Sequence, residues 1–165
     1  MIDWDLPEPY DAQVVPHPSV NLVFQHQAGS APYGELAGVG LGLFTRRLQG
    51  RGRVCGVQFR PGGAFAPGVP VSPWTGRSVP PAEVFPGHRD PAASVLAPDD
   101  ENARVAALDA FLLGLGPEPD PAADRAMALV ERVRTDRTVR RVDALAREQG
   151  LSVRALNGSA RRTWA

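Results

Sequence analysis

The stretch RVCGVQFR, residues 53–60, has the pattern of a β-strand with one face in the protein interior. Cys55, Val57 and Phe59 alternate along it, and alternate residues of a strand point to the same face of a sheet. The polar side chains of Gln58 and Arg60 are typical of the remaining, solvated surface. We therefore predict a half-buried strand that places Cys55 in a hydrophobic core.

Three further short runs of β-type residues precede this strand. Each is bounded by turn signals rich in Gly, Pro and Ser, of which PHPS, AGSAP and GRG are the clearest. The runs are AQVVP (12–16), VNLVFQH (20–26) and LGLFTRRL (41–48). The first half of the chain is therefore predicted to be rich in β-structure.

The segment at 60–87 contains too many Pro and Gly residues for long regular elements. Such residues favour turns and loops, so we predict ordered loops here. One helical turn is expected near Pro81–Phe85. The side chains of Trp74 and Phe85 are expected to anchor the segment to the core.

Helical periodicity begins at Asp99. A helix over 99–115 would have acidic residues in its first turn and Gly114 or Gly116 at its end, as helix boundaries prefer. Its apolar stripe would consist of Val105, Leu108, Leu112 and Leu115. A short Pro-rich linker at 116–121 follows.

Two more helices are predicted after the linker, at 124–136 and at 138–150. The second should begin with a side-chain cap on Asp136 or Thr138. The residues expected to face its interior are Val139, Val142, Leu145 and Ala146.

The predicted fold class is α+β. A β-rich sensor or dimerisation domain is expected at residues 1–98, followed by a connecting helix and linker at 99–120. An incomplete helix-turn-helix domain is expected at 121–165. A chain of 165 residues is long enough for such a domain and a small appendage.

The composition is that of a soluble globular protein, with 43% apolar and 22% charged residues. No apolar run approaches the roughly 20 residues of a membrane-spanning helix. The first ten residues are acidic, which a secretory signal is not. Cys55 is the single cysteine and has no disulfide partner. We therefore expect a cytoplasmic protein that does not contact a membrane.

The formal net charge of zero conceals an uneven distribution. Residues 1–124 contain 8 Arg against 14 Asp and Glu, a net charge of −6, whereas residues 125–165 contain 10 Arg against 4 acids, a net charge of +6. A basic tail on an acidic domain is typical of a nucleic-acid-facing segment, although arginines also merely solvate helices.

The stretch LAREQGLSVRAL, residues 145–156, has the residue types that a helix-turn-helix requires. Ala146 is small enough for two helices to touch, Gly150 tolerates the positive φ of the turn, and Leu151 and Leu156 provide apolar anchors. The same spacing also fits a plain pair of helices joined by a tight corner.

A second helix capped by Ser152 would present its outward side chains to a major groove. Arginine and asparagine there match guanine and adenine edges, while flanking arginines would contact phosphates and make affinity salt-dependent. The predicted DNA-binding residues are Arg140, Arg141, Ser152, Val153, Arg154, Asn157, Arg161 and Arg162.

The motif RVDALAREQGLSVRAL (141–156) resembles the first helix-turn-helix of AraC-type transcriptional regulators. Their usual pattern is Leu-Ala, a few residues, Gly-Leu-Ser, then an arginine and a leucine. Further stretches are similar to the N-terminal domain of a subgroup of these regulators. They are PHPSVNLVF (16–24), LQGRGRVCGVQFRPGGAF (48–65), SVPPAEVFPG (78–87) and DAFLL (109–113). The resemblance implies transcription regulation through sequence-specific binding of double-stranded DNA.

The chain departs from that family's pattern after Leu156. Family members place a basic residue and an aromatic in the recognition helix and continue into a second helix-turn-helix. Here Gly158 and Ala160 follow, and the sequence ends at Ala165. A mid-helix glycine costs about 1 kcal/mol relative to alanine, and a missing buried aromatic about 3 kcal/mol more. We therefore expect a regulator shortened within its first helix-turn-helix, with weakened DNA binding.

Arg60 is the candidate effector-binding residue of the first half. It ends a predicted strand and is followed by Pro-Gly-Gly, so its guanidinium could meet an anionic effector. The alternative is a tight loop in which the arginine bonds nearby carbonyl groups.

No motif for catalysis or metal binding is found. The three histidines, His17, His26 and His88, are too scattered for a metal site. The glycines at 38–44 and 50–56 do not fit nucleotide-binding loops. The acids at 99–101 suit the N-terminal end of a helix dipole. We therefore predict no enzyme, no cofactor and no metal.

The sequence as a whole predicts a transcriptional regulator of the AraC type. Its partners would be double-stranded DNA and either a small-molecule effector or a second copy of the chain in a homodimer. The alternative is a small-molecule-binding or dimerisation module, derived from such a regulator, that no longer binds DNA. The altered recognition helix favours the alternative, and the basic tail disfavours it.

Overall fold

The computed structural model of the protein describes residues 1–60 and 71–156. Five strands in this part of the chain form one antiparallel sheet in the order β1-β4-β2-β3-β5. Their bounds are β1 Ile2–Val14, β2 Asn21–Gln27, β3 Tyr33–Ala37, β4 Phe44–Gln58 and β5 Ser78–Val79.

Helices follow the sheet in sequence. They are α1 Pro81–Val84, α2 Ala92–Leu96, α3 Glu101–Gly114, α4 Pro121–Thr135 and α5 Val142–Glu148, with a 3-10 turn at Ser72–Trp74 before them. Helical conformation resumes at residues 153–156, the last that the structure describes. The fold class is α+β, as predicted, and the helical turn expected near Pro81 is α1.

The larger core lies between one face of the sheet and helices α2 and α3. Phe24 of β2 is fully buried, and Phe111 of α3 packs edge-on against it with ring centroids 6.0 Å apart. Phe111 meets Phe85 in the same way at 6.1 Å, so Phe85 anchors the loop segment as expected. Cys55 is 1% exposed in this core, which confirms its predicted position, and burial raises the pKa of its thiol.

Strand β4 is longer than predicted because the glycines at 50–52 do not make a turn. Gly50 has a φ of +55° and pairs with Leu6 of β1. The pairing between β1 and β4 is irregular from Leu6 to Tyr10, a segment that contains Pro7 and Pro9. The glycine therefore accommodates an irregularity within one continuous strand, as in a β-bulge.

The first ten residues belong to a strand that sequence reasoning did not predict. Two prolines and several acids are unusual in a strand, but β1 lies at the sheet edge, where proline is tolerated. Its acids stand opposite arginines of β4 in the register. These pairs are Asp3 with Arg53, Asp5 with Arg51 and Asp11 with Arg47. Strand β3 was also missed.

Where Tyr10–Val14 of β1 pair with Phe44–Leu48 of β4, the two strands leave the plane of the sheet. Arg46 of β4 lies 3.9 Å from the Glu35 carboxylate and hydrogen-bonds the Tyr33 hydroxyl, although β2 separates β4 from β3 in the sheet order. The pair therefore bends across the sheet face opposite the helices. Burial raises the pKa of Glu35, while a hydrogen bond from Gln25 opposes that shift.

Helix α3 confirms the predicted helix and its start. The Asp100 carboxylate accepts a hydrogen bond from the Ala103 N–H at 2.8 Å, as an N-cap should. The predicted stripe is wrong at Val105, which is 41% exposed. Arg104 is buried instead, at 5% exposure, because it donates to the Asp3 carboxylate at 3.0 Å and so joins α3 to β1.

None of the helices within the described ranges is long and apolar enough to cross a membrane.

Candidate nucleic-acid interface

The C-terminal corner, which we define as residues 136–156, is built around the turn after α5. Gly150 has a φ of +66°, a conformation that costs a residue with a Cβ about 1 kcal/mol or more. The Gly150 N–H donates to the Arg147 carbonyl at 3.0 Å, and the Leu151 N–H donates to the Ala146 carbonyl at 2.9 Å. These two bonds form the Schellman motif that ends many helices. The predicted role of Gly150 is confirmed.

The next helix begins where the sequence predicts. The Ser152 hydroxyl accepts a hydrogen bond from the Ala155 N–H at 3.1 Å. The Leu156 N–H donates to the Ser152 carbonyl at 2.9 Å, which is the first bond of an α-helical turn. Ser152 is therefore an N-cap, and the two helices are joined by a turn of three residues.

The corner has a small core of its own. Leu145, Ala146 and Leu156 are buried, and Leu129 of α4 and Val139 pack against them. Two residues predicted to lie inward do not. Val142 is 54% exposed and Leu151 is 39% exposed.

Helix α5 begins four residues later than predicted, at Val142. The Asp136 carboxylate accepts hydrogen bonds from both the N–H and the hydroxyl of Thr138, which forms a local turn rather than a helix cap. The N-cap position is Arg141, whose side chain makes no capping bond. The predicted caps therefore stabilise the connection between α4 and α5.

Arg132 of α4 forms ion pairs both with the segment that connects α4 to α5 and with α5 itself. Its guanidinium lies 3.1 Å from the Asp136 carboxylate and 3.5 Å from the Glu148 carboxylate. All three side chains are substantially solvated, so each pair contributes little alone, but a shared arginine orients α4 against α5. The Thr138 hydrogen bonds, and to a lesser degree Arg132, hold the pKa of Asp136 below its usual value.

Five of the predicted DNA-binding residues lie in the described corner, and all five are exposed. They are Arg140, Arg141, Ser152, Val153 and Arg154. The other three, Asn157, Arg161 and Arg162, lie outside the described residues. The two arginines before α5 and the three residues after the turn at Gly150 therefore all lie on the surface.

The arginines of the corner differ in how far carboxylates neutralise them. Arg141 donates to the Asp143 carboxylate at 2.9 Å, and Arg147 reaches the same carboxylate at 3.3 Å. The hydrogen bond from Arg141 and the charge of Arg147 lower the pKa of Asp143, so it stays anionic at neutral pH. Arg140 and Arg154 form no ion pair within the described part of the chain.

Sequence reasoning missed the partial neutralisation by Asp143. The signal that could have revealed it is the acid two residues after Arg141 and four residues before Arg147, since side chains four apart on a helix are neighbours. The free positive charge of the corner therefore rests on fewer residues than the net charge of the segment indicates.

The proposed effector contact, Arg60, is exposed. Residues 61–70, which follow it, lie outside the described ranges. A groove of about 630 Å³ lies elsewhere on this half of the molecule. It is lined by Asp3, Trp4, Asp5, His26, Ala28, Arg51, Gly52, Arg53 and Leu96.

The charged side chains that line the groove are neutralised by ion pairs. Arg51 lies 3.5 Å from the Asp5 carboxylate, and Arg53 donates to the Asp99 carboxylate at 3.0 Å. The buried indole N–H of Trp4 has no hydrogen-bond partner in the described part of the protein. No group of three or more His, Cys, Asp or Glu side chains suited to a metal ion occurs in that part.

The comparisons with known proteins concern the first half of the chain. Residues 1–80 match the model of a protein family that is described as a domain of unknown function, DUF6597. The match covers all five strands and ends immediately after β5. No curated protein and no solved structure matches the chain.

Proposed function

We propose that this protein is a transcriptional regulator of the AraC type that binds double-stranded DNA through its C-terminal corner. The observation that carries the proposal is the geometry at Gly150 and Ser152. The helix beginning after Ser152 has its first turn exposed, with Val153 and Arg154 on the surface. A recognition helix contacts base edges with the residues near its N-terminus.

Charge supports the same role. Three described arginines of the corner, Arg137, Arg140 and Arg154, form no ion pair with other described residues; Arg140 lies just before α5, and Arg154 stands on the first turn of the second helix. Arg140 and Arg141 fit phosphate contacts, and Arg154 fits a guanine edge.

The corner is too small to bind tightly alone. Its described core consists of three buried side chains, and the free cations are few. We therefore propose weak affinity for a single corner and stronger affinity when two corners meet two half-sites, as in dimeric helix-turn-helix proteins. By binding an effector or a second copy of the chain, the N-terminal half would determine whether two corners can reach two half-sites together.

The competing proposal is a module that binds a small molecule and no longer contacts DNA. The groove beside Trp4 favours it, because this concave surface is lined by both polar and apolar side chains, as small-molecule sites are. In this case Asp143 and its two arginines would serve only to stabilise α5.

The proposal is tested by fluorescence anisotropy of the full chain with a random duplex and with a library of genomic fragments at two salt concentrations. We expect binding that weakens with salt and prefers a subset of genomic fragments. Arg154→Ala should weaken specific binding by about 1–3 kcal/mol. Arg140→Ala should weaken all duplexes alike and reduce the salt slope by about 1.

Arg89→Ala is the matched control, since it removes an exposed arginine from the N-terminal half. It should leave DNA affinity unchanged. Equal losses for Arg89→Ala and Arg154→Ala would reduce the interaction to bulk charge and overturn the proposed interface. No binding at low salt would favour the small-molecule module.

A further inference from the structure

Strand β1 has an unpaired edge that differs between its two halves. Among the described residues, β1 pairs only with β4, and its other edge carries no strand. Pro7 and Pro9 interrupt the first half, and proline lacks the N–H needed to extend a sheet. The segment Tyr10–Val15 lies between Pro9 and Pro16 and contains no proline. Each of its residues retains its N–H.

The exposed side chains near this segment are largely apolar. Tyr10, Val14 and Val15 are exposed, and so are Leu41, Leu43 and Phe44 at the start of β4. Val14 stands opposite Phe44 in the register, and Tyr10 stands opposite Leu48. A long exposed edge with apolar neighbours is the type of surface that pairs with another strand.

We propose that the edge of β1 pairs antiparallel with β1 of a second copy of this chain, about a two-fold axis at Ala12. This register places Tyr10 opposite Val14 of the partner and Asp11 opposite Gln13 of the partner. The inference concerns the N-terminal half alone and does not require DNA binding.

The charge pattern selects this register from its neighbours. An axis at Asp11 would place the two Asp11 carboxylates directly opposite each other, and like charges in that position are unfavourable. An axis at Gln13 would bring Tyr10 opposite Pro16, which cannot donate an N–H. With the axis at Ala12, the carboxylate meets a neutral amide and every paired residue has its N–H.

The apolar pattern agrees with the same register. Across the strands β4 and β1 of each protomer, one row would run from Leu48 through Tyr10 to Val14 and Phe44 of the partner subunit. The two-fold axis repeats that row on the other side of Ala12. Aromatic and β-branched pairs of this kind stabilise antiparallel strands. Each protomer would thus pack its exposed Tyr10 and Val14 against Val14 and Tyr10 of the other.

The pairing is tested by changing the residue that meets Asp11 of the partner. Gln13 is exposed and stands opposite neutral Thr45 in its own sheet, so substitution there should preserve the fold. Gln13→Glu places two like-charge pairs in each dimer, and Gln13→Lys places two opposite-charge pairs. Sedimentation velocity of the full chain, without DNA, measures the dimer dissociation constant.

We expect Gln13→Glu to raise the dissociation constant roughly tenfold and Gln13→Lys to lower it. The double variant Asp11→Asn with Gln13→Glu should restore dimerisation, because an amide then meets a carboxylate as in the wild type and no like charge is placed opposite Arg47. Circular dichroism confirms that each variant is folded. A wild-type chain that is monomeric at every concentration overturns the proposal and leaves this edge to a different chain or segment. A dimer that is indifferent to both charges also overturns it.

Cross-linking tests the register itself. Ala12→Cys would place two thiols at directly opposed positions, about 4.5–5.5 Å apart between Cα atoms, within the span of a disulfide. Gln13→Cys is the matched control, because its two copies would lie about 7–8 Å apart on diagonal positions. Native Cys55 is buried and does not compete. Faster cross-linking by Gln13→Cys than by Ala12→Cys would rule out the axis at Ala12.

Discussion

The sheet with its covering helices and the C-terminal corner are stabilised by different forces. Twelve buried apolar residues form the core of the former, and three form the core of the latter in the described ranges. The corner compensates with a Schellman turn, a serine cap and the shared ion pairs of Arg132. A region that is held by burial resists salt and acid, whereas one that depends on local hydrogen bonds and exposed charges responds to both.

The largest effect is expected from a cavity in the main core. Phe24 is fully buried and contacts Phe111, so Phe24→Ala should lower the free energy of unfolding by about 3–5 kcal/mol. Urea denaturation followed by circular dichroism measures the change. Val105→Ala, at an exposed position of α3, is the control and should change stability by less than about 0.5 kcal/mol. Similar losses for both variants would mean that the sheet and α3 do not share the core described.

A smaller, local effect is expected at the turn of the corner. Gly150→Ala forces a Cβ into a left-handed conformation, so it should destabilise the turn by about 1 kcal/mol. Hydrogen exchange of the Gly150 and Leu151 amides should accelerate, while exchange at Cys55 in β4 should not change.

Gly114→Ala provides the matched control for that substitution. Gly114 ends α3 without a positive φ, and a Cβ there would meet no other atom within 4 Å. Alanine at this position should be neutral or mildly stabilising, since glycine is a poor helix former. If Gly150→Ala were equally neutral, the hydrogen bonds of the turn would not depend on the left-handed glycine.

The smallest effect is a pH dependence of opposite sign in the two regions. In the corner and the adjoining helix α4, hydrogen bonds from Arg134, Thr138 and Arg141 lower the pKa values of Glu131, Asp136 and Asp143 respectively. Their contribution to stability is present above the unfolded pKa values and is lost as pH falls through the lowered folded values. In the sheet, burial raises the pKa of Glu35, so its contribution is present at low pH and lost as pH rises through the folded value.

Hydrogen exchange between pH 7 and pH 3 distinguishes these contributions, once the intrinsic exchange rates are corrected. Protection in α4 and α5 should decrease with acid, and protection in β3 should not. Glu35→Gln removes the opposing contribution of the sheet and should leave the acid response of the corner unchanged. Parallel loss of protection in both regions would show that they unfold together.

Sequence reasoning performed best where the determining interaction is local. The cap at Ser152 and the turn at Gly150 each depend on residues within five positions of one another. The alternation of Cys55, Val57 and Phe59 likewise predicts a buried strand face from adjacent residues. These features appear in the structure as predicted. The DNA-binding role of the corner stays a prediction.

Errors arose where distant residues compete with local preference. The prolines and acids near the N-terminus argue against a strand, yet β1 forms because it pairs antiparallel with the distant strand β4, whose arginines stand opposite its acids. Val105 fits the helical stripe better than Arg104, but only Arg104 can reach the Asp3 carboxylate. Asp136 is a suitable cap for α5, but its carboxylate accepts hydrogen bonds from Thr138 instead.

The amino-acid sequence by itself determined the turn at Gly150, the cap at Ser152 and the buried face of β4, because these follow from backbone conformation and hydrogen bonding within a few residues. Only the tertiary structure decided that Gly50 lies within a strand and that Arg104 is buried. These outcomes depend on which side chains are brought together by folding. Burial and charge pairing between separate elements can outweigh the preference of any single segment.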